Sequence, residues 1–198
     1  MTTIGLIRHG ITEWNSLGKA QGISDIPLNN IGRKQARKLG DRLSLEEKWD
    51  LIITSDLSRA FETGKIIGSK IGLPTSHIHI DKRIREIDCS EIEGTTEAQR
   101  VRQWGSEWRN LELGMESFNG VSNRGFDFLE DIVHTHKGKR ILVVSHGALI
   151  GLTLQRLLPQ KFKQTSMDNT SITYLSHLDD KWDCSLYNCT RHLDLITQ

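Results

Sequence analysis

Two apolar stretches near opposite ends of the chain finish in the same way, with a histidine followed by a glycine. Residues 4–7 lead through Arg8 to His9, and residues 141–144 lead through a serine to His146. An apolar run that stops abruptly at polar residues and a glycine predicts a buried strand that ends in a tight turn. Ligands of open α/β sheets bind at the carboxyl ends of the strands. Both imidazoles are therefore predicted to face a single site.

Strand and helix patterns alternate between these two histidines. Residues 50–54 and 78–80 have the length and composition of short strands. An amphipathic helix is predicted from an asparagine cap to about residue 43, and Ser55 or Asp56 is able to cap a second helix. This alternation predicts right-handed βαβ units and hence an α/β fold.

The later part of the chain continues the alternation and then turns to strands alone. Helices are predicted over residues 123–136 and 148–158, on either side of the strand that leads to His146. Residues 171–178 and 182–189, joined by a short polar turn, predict a hairpin at the edge of the sheet.

Length and charge limit the classes of partner. With 198 residues the chain is predicted to form one domain, residues 1–198, in which a segment of about 95–120 is an insertion with one helix. Lys and Arg number 26 against 25 Asp and Glu, so no overall field attracts nucleic acid or an anionic membrane. No basic leader and no apolar run of membrane length is seen, and a cytoplasmic protein is expected.

The spacing of cysteine and histidine carries no clear metal or disulfide signature. The three cysteines form no C-x-x-C pair, which argues against a disulfide framework or a structural zinc site. The pairs His77/His79 and His134/His136 lack further ligands nearby in the sequence. They are interpreted as polar positions at the ends of elements.

Cationic side chains collect at the predicted strand ends. Arg8 and His9 follow the first strand, Arg59 follows the second, and His146 follows the late one. Guanidinium groups bind phosphate or carboxylate oxygens in bidentate fashion, each charged hydrogen bond contributing about 1.5–3 kcal/mol. Main-chain N–H groups at helix starts add to such a site. The pattern indicates a pocket for a small anion, with Glu86 able to donate a proton to a leaving group.

The same residues stand within a series of motifs that resembles the histidine phosphatase superfamily, also called the phosphoglycerate mutase-like family. A lone Arg-His-Gly would be weakly specific, whereas several blocks in the family's order over almost the whole chain are strongly specific. The matching blocks are residues 6–10 with Thr12, Trp14 and Asn15; Pro27-Leu28, Gly32 and Gln35-Ala36; residues 54–60 with Thr63; Arg85-Glu86 and Glu93-Gly94; Glu116-Ser117 and Arg124; residues 144–147; and residues 169–172.

The resemblance implies a three-layer α/β/α sandwich with a mostly parallel central sheet and an antiparallel edge strand. It implies that His9 attacks phosphorus as a neutral imidazole and forms a phosphohistidine, its other ring nitrogen held by the backbone. Arg8, Arg59 and His146 would hold the phosphoryl oxygens. Glu86 would protonate the leaving alkoxide and then activate the water that cleaves the phosphohistidine.

Further substrate contacts are implied for Asn15, Gln21, Gly22 and Gly147. A cationic site of this kind takes the place of the metal pair used by other phosphatases, so neither a metal nor another cofactor is expected. The predicted partner is a small phosphorylated metabolite. A homodimer is left open by the sequence.

The segment after Glu86 departs from the family pattern. A larger apolar residue, a glycine and an aromatic are usual where this chain has Cys89, Ser90 and Ile92, and a glycine is usual at Met115. The backbone there is therefore not fixed by the resemblance. Glu91 and Glu93 lie close by, and either acid remains an alternative proton donor.

Phosphatases and mutases of this family share the phosphohistidine and differ in what accepts the phosphoryl group. The mutases exclude water with a longer insertion that carries paired arginines. In this chain the corresponding segment, residues 95–115, is short and contains no two adjacent arginines. A phosphatase for small phosphomonoesters is therefore predicted. A cofactor-dependent phosphoglycerate mutase and a non-catalytic phosphate-binding module are the alternatives. Trp104 and Trp108 are left open between a lid and a structural role.

Overall fold

The computed structural model describes residues 1–46 and 48–194, and one six-stranded sheet organises them. The strands are β1 (Thr2–Arg8), β2 (Leu51–Thr54), β3 (Ile78–Ile80), β4 (Arg140–Ser145), β5 (Ile172–Leu178) and β6 (Lys181–Cys189). The helices are α1 (Glu13–Ser16), α2 (Asn30–Leu43), α3 (Ser58–Lys70), α4 (Glu97–Trp104), α5 (Phe118–Thr135), α6 (Gly147–Leu157) and α7 (Arg191–Asp194).

The sheet is mostly parallel and has the order β3-β2-β4-β1-β5-β6. Strands β1 to β4 pair in parallel, whereas β5 runs antiparallel to β1 and to β6. The predicted hairpin therefore forms one side of the open sheet, with β5 antiparallel to β1 and with β6 as the edge strand. Its turn is formed by Asp179 and Asp180, whose φ angles of 49° and 57° match the type I′ turn that suits strand twist.

The two faces of the sheet bury different side chains because successive residues of a strand point in opposite directions. On β4, Ile141 and Val143 pack in a core with α5 and α6, and Leu142 and Val144 pack in a second core with α2 and α3. Helices thus cover both faces, and the predicted α/β/α sandwich is confirmed. Within the described ranges, no helix has both the length and the apolar character that crossing a membrane requires.

The register of the central strands brings the two predicted histidines together. Arg8 at the end of β1 pairs with Ser145 at the end of β4. The next residues along these strands are His9 and His146, and the His9 N–H donates to the Ser145 carbonyl oxygen at 2.9 Å. Because the two strands are parallel neighbours, both histidines lie at the carboxyl ends of the central strands.

Two predicted helix starts are wrong. In each helix, an N–H group of the first turn is bound by a side chain that the prediction did not include. Helix α3 begins at Ser58, after Leu57, and neither Ser55 nor Asp56 caps it. Its Ser58 N–H donates instead to Asp25 Oδ1 at 2.7 Å, a partner from a distant loop. Helix α5 begins at Phe118 rather than at residue 123, because the Ser117 side chain accepts from Gly120 N–H and caps the earlier turn.

Between residues 95 and 117 the chain forms α4 and the short 3-10 helix Trp108–Asn110, and α5 begins at Phe118. That this segment is an insertion stays a prediction. Trp108 is buried, and its Nε1–H donates to Glu97 Oε1 at 3.0 Å. The guanidinium groups of Arg100 and Arg109 lie 4.9 and 4.4 Å from the centre of its ring. These contacts tie Trp108 to the rest of the segment, which favours the structural role over the lid.

Candidate active site

The turn after β1 presses directly against the start of α2. A Cβ atom added to Gly10 would lie 2.6 Å from the carbonyl oxygen of Gly32, closer than real Cβ atoms approach a backbone oxygen. The Gly10 N–H donates to Thr63 Oγ1 at 3.1 Å. Glycine is thus required at this position, and the turn that carries His9 is tied to α2 and α3.

His9 and His146 are both buried, and their ring centroids are 5.1 Å apart. The Nδ1 atom of His9 lies 2.7 Å from the carbonyl oxygen of Gly10. A carbonyl accepts only from an N–H, so this contact assigns the proton to Nδ1 and the lone pair to Nε2. The backbone of His9 is also held, since its carbonyl oxygen accepts from Asn169 Nδ2 at 3.0 Å.

Burial is the main reason why both imidazoles are neutral. It lowers the pKa of His9 well below its usual value, and the positive charges of Arg59 and Arg8 lower it further. The pKa of His146 is also lowered well below its usual value, first by burial and then by Arg59 and His9. A neutral imidazole keeps the lone pair that a nucleophile needs.

Two arginines border the histidines and keep N–H groups to spare. Arg59 is fully buried, and its Nη1 and Nη2 donate to the carbonyl oxygens of Ser24 and Gly22, each at 2.7 Å. Arg8 donates through Nη1 to the carbonyl oxygen of Met167 at 2.5 Å. Among the described residues, Nε of Arg8 and Nε of Arg59 have no hydrogen-bond partner. A guanidinium has five donors, so both side chains retain capacity for an anion.

Glu86 reaches the site from the segment before the insertion. Its carboxylate accepts from the N–H groups of Ala148 at 3.3 Å and Leu149 at 3.1 Å, in the first turn of α6. Its negative charge raises the pKa values of Arg8 and Arg59, against the larger lowering by burial. The five predicted catalytic side chains therefore lie near one another at the carboxyl ends of the central strands. They are Arg8, His9, Arg59, Glu86 and His146.

The two alternative acids are placed differently. The carboxylate of Glu93 accepts from the N–H groups of Ile23 at 2.8 Å and Ser24 at 2.9 Å, and also from the Ser24 hydroxyl. It therefore holds the loop whose carbonyl groups hold Arg59. Glu91 is exposed. Of the three acids, Glu86 is the one whose carboxylate accepts from N–H groups at the start of α6, and its role as the proton donor stays a prediction.

The other residues predicted to contact the substrate are bound to segments next to the catalytic side chains. The Oδ1 atom of Asn15 accepts from Thr12 N–H at 3.2 Å and from Asn169 Nδ2 at 3.3 Å, which leaves its amide NH₂ as a donor. Gln21 is buried, and its Oε1 accepts from the Thr12 hydroxyl at 2.9 Å. Gly22 contributes its carbonyl group to Arg59. Substrate contact by Gln21 and Gly22 stays a prediction.

Gly147 lies against Arg8 at the start of α6. A Cβ atom added there would be 3.4 Å from Arg8 Nε. Asn169 was not among the predicted site residues, yet its amide ties His9 to Asn15. Its only signal was membership of the block at residues 169–172. In the described part of the chain, no group of three or more His, Cys, Asp or Glu side chains is arranged to hold a metal ion.

Taken together, a neutral histidine with a directed lone pair, a second histidine, two buried arginines and a nearby carboxylate define a phosphoryl-transfer enzyme of the phosphohistidine class. The family model of the histidine phosphatase superfamily (branch 1) matches residues 4–190. The chain belongs to this superfamily, and the predicted family is confirmed.

Three similar proteins illustrate the range of the family. Phosphoglycerate mutase-like protein 4 of Arabidopsis thaliana is 35% identical over 96% of this chain and 86% of its own length. The metal-independent phosphoserine phosphatase of Arabidopsis thaliana is 32% identical over 99% and 85%. A phosphoserine phosphatase mutant from Entamoeba histolytica, solved with phosphoserine, is 29% identical with a TM-score of 0.80, over 98% of this chain and 100% of its own. The phosphatase prediction is supported over the mutase alternative.

Acidification is expected to destabilise the protein through its buried histidines. Burial lowers the pKa of His192 to about 4, whereas the pKa of the unfolded side chain is about 6.5. The unfolded chain therefore binds more protons between these values, so this stabilisation is present above pH ~6.5 and is lost as the pH falls toward ~4. His9 and His146 shift in the same direction.

Urea unfolding at pH ~7.5 and pH ~5 measures this effect. His192 alone is expected to account for about 2 kcal/mol of the loss in unfolding free energy between these conditions. The His192→Gln variant should therefore lose about 2 kcal/mol less than the unsubstituted protein. Equal losses in the two proteins would show that His192 does not contribute to the pH-dependent loss.

Proposed function

We propose that the chain hydrolyses small phosphomonoesters through a phosphohistidine formed on His9, without a metal ion. The observation that carries the proposal is the lone pair on His9 Nε2 together with the Nε–H groups of Arg8 and Arg59, which have no hydrogen-bond partner within residues 1–46 and 48–194. The phosphatases among the similar proteins support the same reaction, and one is named as metal-independent.

In the first step, the lone pair of His9 Nε2 attacks phosphorus in line with the ester oxygen. The N–P bond forms as the P–O bond to the leaving group breaks, and Glu86, which must carry a proton in the complex with substrate, gives it to the departing oxygen. Arg8, Arg59 and His146 donate to the phosphoryl oxygens, where the charge must be balanced through the transition state. The Asn15 amide adds a further donor.

In the second step, water replaces the leaving group. Glu86, now a carboxylate, takes a proton from water while the water oxygen attacks phosphorus. The N–P bond breaks, its electron pair returns to His9 Nε2, and inorganic phosphate is released. Glu86 thereby regains its proton for the next turnover.

The insertion also favours water as the acceptor. Arg100 donates to the Thr95 carbonyl oxygen at 2.7 Å and to Glu97 at 3.2 Å, and Arg109 pairs with the same Glu97. These arginines are engaged in holding the insertion together, so they are not offered as a pair to the carboxylate of a phosphorylated acid. A mutase would need to retain such a substrate while it reorients.

The proposed substrates are small phosphorylated metabolites. One similar structure contains phosphoserine and another, also of the Entamoeba histolytica phosphoserine phosphatase, contains 3-phosphoglyceric acid. We include both compounds among the candidates, together with sugar phosphates and nucleotide-precursor phosphates. The single domain of residues 1–198, the cytoplasmic location and the absence of nucleic-acid and membrane partners stay predictions, and a homodimer stays open.

Hydrolysis of a chromogenic aryl phosphate in the presence of EDTA tests the proposed reaction. Release of phosphate that EDTA does not reduce is expected, whereas a non-catalytic binding module would release none. The same protein is then given 3-phosphoglycerate and the products are separated. Isomerisation to 2-phosphoglycerate that outpaces phosphate release would assign the mutase activity instead.

The Glu86→Gln variant is expected to discriminate between leaving groups. An alkoxide needs a proton as it leaves, whereas an aryl oxide departs more readily without one, so general-acid catalysis of about 10²-fold should be lost mainly on alkyl phosphates. The measurement is kcat/KM for phosphoserine and for an aryl phosphate. Equal losses on both substrates would remove Glu86 from the role of the acid.

A further inference from the structure

One arginine near the site, Arg124, uses all its hydrogen-bonding capacity on the protein itself. Its Nη1 donates to the carbonyl oxygens of Arg83 at 2.7 Å and Arg85 at 2.6 Å. Its Nη2 donates to the carbonyl oxygen of Glu86 at 3.0 Å and to Glu116 Oε2 at 2.9 Å, and its Nε donates to Glu116 Oε1 at 2.8 Å. A guanidinium has five N–H donors, and these five bonds occupy them all.

This pattern separates Arg124 from the two arginines proposed to bind phosphate. Arg8 and Arg59 each retain a buried Nε without a partner in the described residues. Arg124 has no donor left for an anion, although its positive charge lies near enough to lower the pKa of His146. Its function must therefore concern the backbone that it binds.

Glu116, the ion-pair partner of Arg124, binds the same segment two residues further along the chain. Glu116 accepts from Asp88 N–H at 3.3 Å through Oε2, and its own N–H donates to the Asp88 carbonyl oxygen at 2.9 Å. The Arg124 guanidinium in turn lowers the pKa of Glu116, which keeps this carboxylate charged. The two residues thus hold the main chain on both sides of Glu86.

The segment that they hold has little regular structure of its own. The short 3-10 helix Lys82–Ile84 ends before Glu86, and the next begins at Ser90. A carboxyl group carried on such a segment depends on outside contacts for its position, and a displacement of about 1 Å can cost on the order of 10²-fold in rate. The peptide carbonyl of Glu86 is itself one of the groups that Arg124 binds.

We propose that Arg124, with Glu116, is a positioning residue that holds the Glu86 carboxyl group in place for proton transfer. The inference rests on the proposed role of Glu86 as the acid. Arg124 touches no reacting atom in this scheme. Its loss should therefore impair the reaction in the same way as loss of the acid, and not as loss of phosphate binding.

The test compares four variants on an alkyl phosphate, phosphoserine, and on an aryl phosphate. Arg124→Met and Glu86→Gln are expected to lower kcat/KM for phosphoserine about 10²-fold, and to change that for the aryl phosphate much less. The double variant Glu86→Gln/Arg124→Met should show the same ratio between substrates as Glu86→Gln alone. Arg83→Met is the matched control.

Arg83 belongs to the same segment and also forms ion pairs, with Asp81 at 2.7 Å and with Asp131 at 2.9 Å. A general loss of segment stability should therefore appear in the Arg83→Met variant too, whereas the inference expects its ratio between substrates to be unchanged. Thermal unfolding verifies that each variant is folded. If Arg124→Met does not fold, Glu116→Gln is measured instead, and it should shift the ratio in the same direction.

The outcomes distinguish the inference from the function on which it rests. A uniform loss on both substrates in the Arg124→Met variant, beside a leaving-group-dependent loss in Glu86→Gln, would overturn the positioning role alone. A further change of the ratio in the double variant would do the same. Uniform losses in Glu86→Gln would overturn the acid role, and the positioning role with it.

Discussion

Replacing His9 with alanine is expected to abolish phosphate release, with a fall in turnover of about 10⁴-fold or more on any phosphomonoester. The side chain supplies the only bond that the protein makes to phosphorus in the proposed reaction. Its geometry is fixed twice, by the Gly10 carbonyl oxygen on Nδ1 and by Asn169 on the backbone. Glu86→Gln, by comparison, removes only the proton transfer.

Trapping of the intermediate identifies the residue directly. Protein quenched in base during turnover of a ³²P-labelled substrate should carry label, which acid releases because a phosphohistidine is stable to base and labile to acid. The His9→Ala variant should carry none. His134→Ala is the control, because His134 is exposed and its Nδ1 contacts the Glu130 carbonyl oxygen in its own helix, away from the two strand ends. Label that survives acid would indicate a different nucleophile.

Replacing Arg59 with methionine is expected to lower kcat/KM by about 10³-fold, or about 4 kcal/mol. Two losses combine in this variant. The phosphoryl oxygens lose a buried positive charge, and the carbonyl groups of Gly22 and Ser24 lose the donors that fix their loop. Lysine should not restore activity, because one ammonium cannot reproduce the planar fork that serves two carbonyl groups and an anion.

Steady-state kinetics with inorganic phosphate as a competitive inhibitor measure the effect. A rise in KM and a matching rise in the inhibition constant of phosphate are expected for Arg59→Met. Arg37→Met serves as the control, since Arg37 is exposed on α2. Unchanged phosphate inhibition in a folded Arg59→Met protein would remove Arg59 from the phosphate site.

The sequence predicted an element correctly where the residues that define the element lie within it or directly beside it. Helix α2 was predicted from an asparagine cap and an apolar face, and Asn29 does accept from Gly32 N–H at 2.9 Å. The hairpin at the sheet edge was predicted from two alternating runs and a short polar turn. The start of α3 was missed because its cap comes from Asp25, which no local pattern connects to Ser58.

The sequence by itself determined the family, the α/β fold and the side chains at the two strand ends. These follow from period-2 and period-3.6 burial patterns and from motifs in a set order, which the chain expresses locally. Only the tertiary structure decided which groups the acids and arginines contact. Glu86 reaches the start of α6, Glu93 holds the loop under Arg59, and Arg124 holds backbone. The partner of a charged group depends on which distant segments the fold brings within a few ångströms, and no spacing along the chain records that distance.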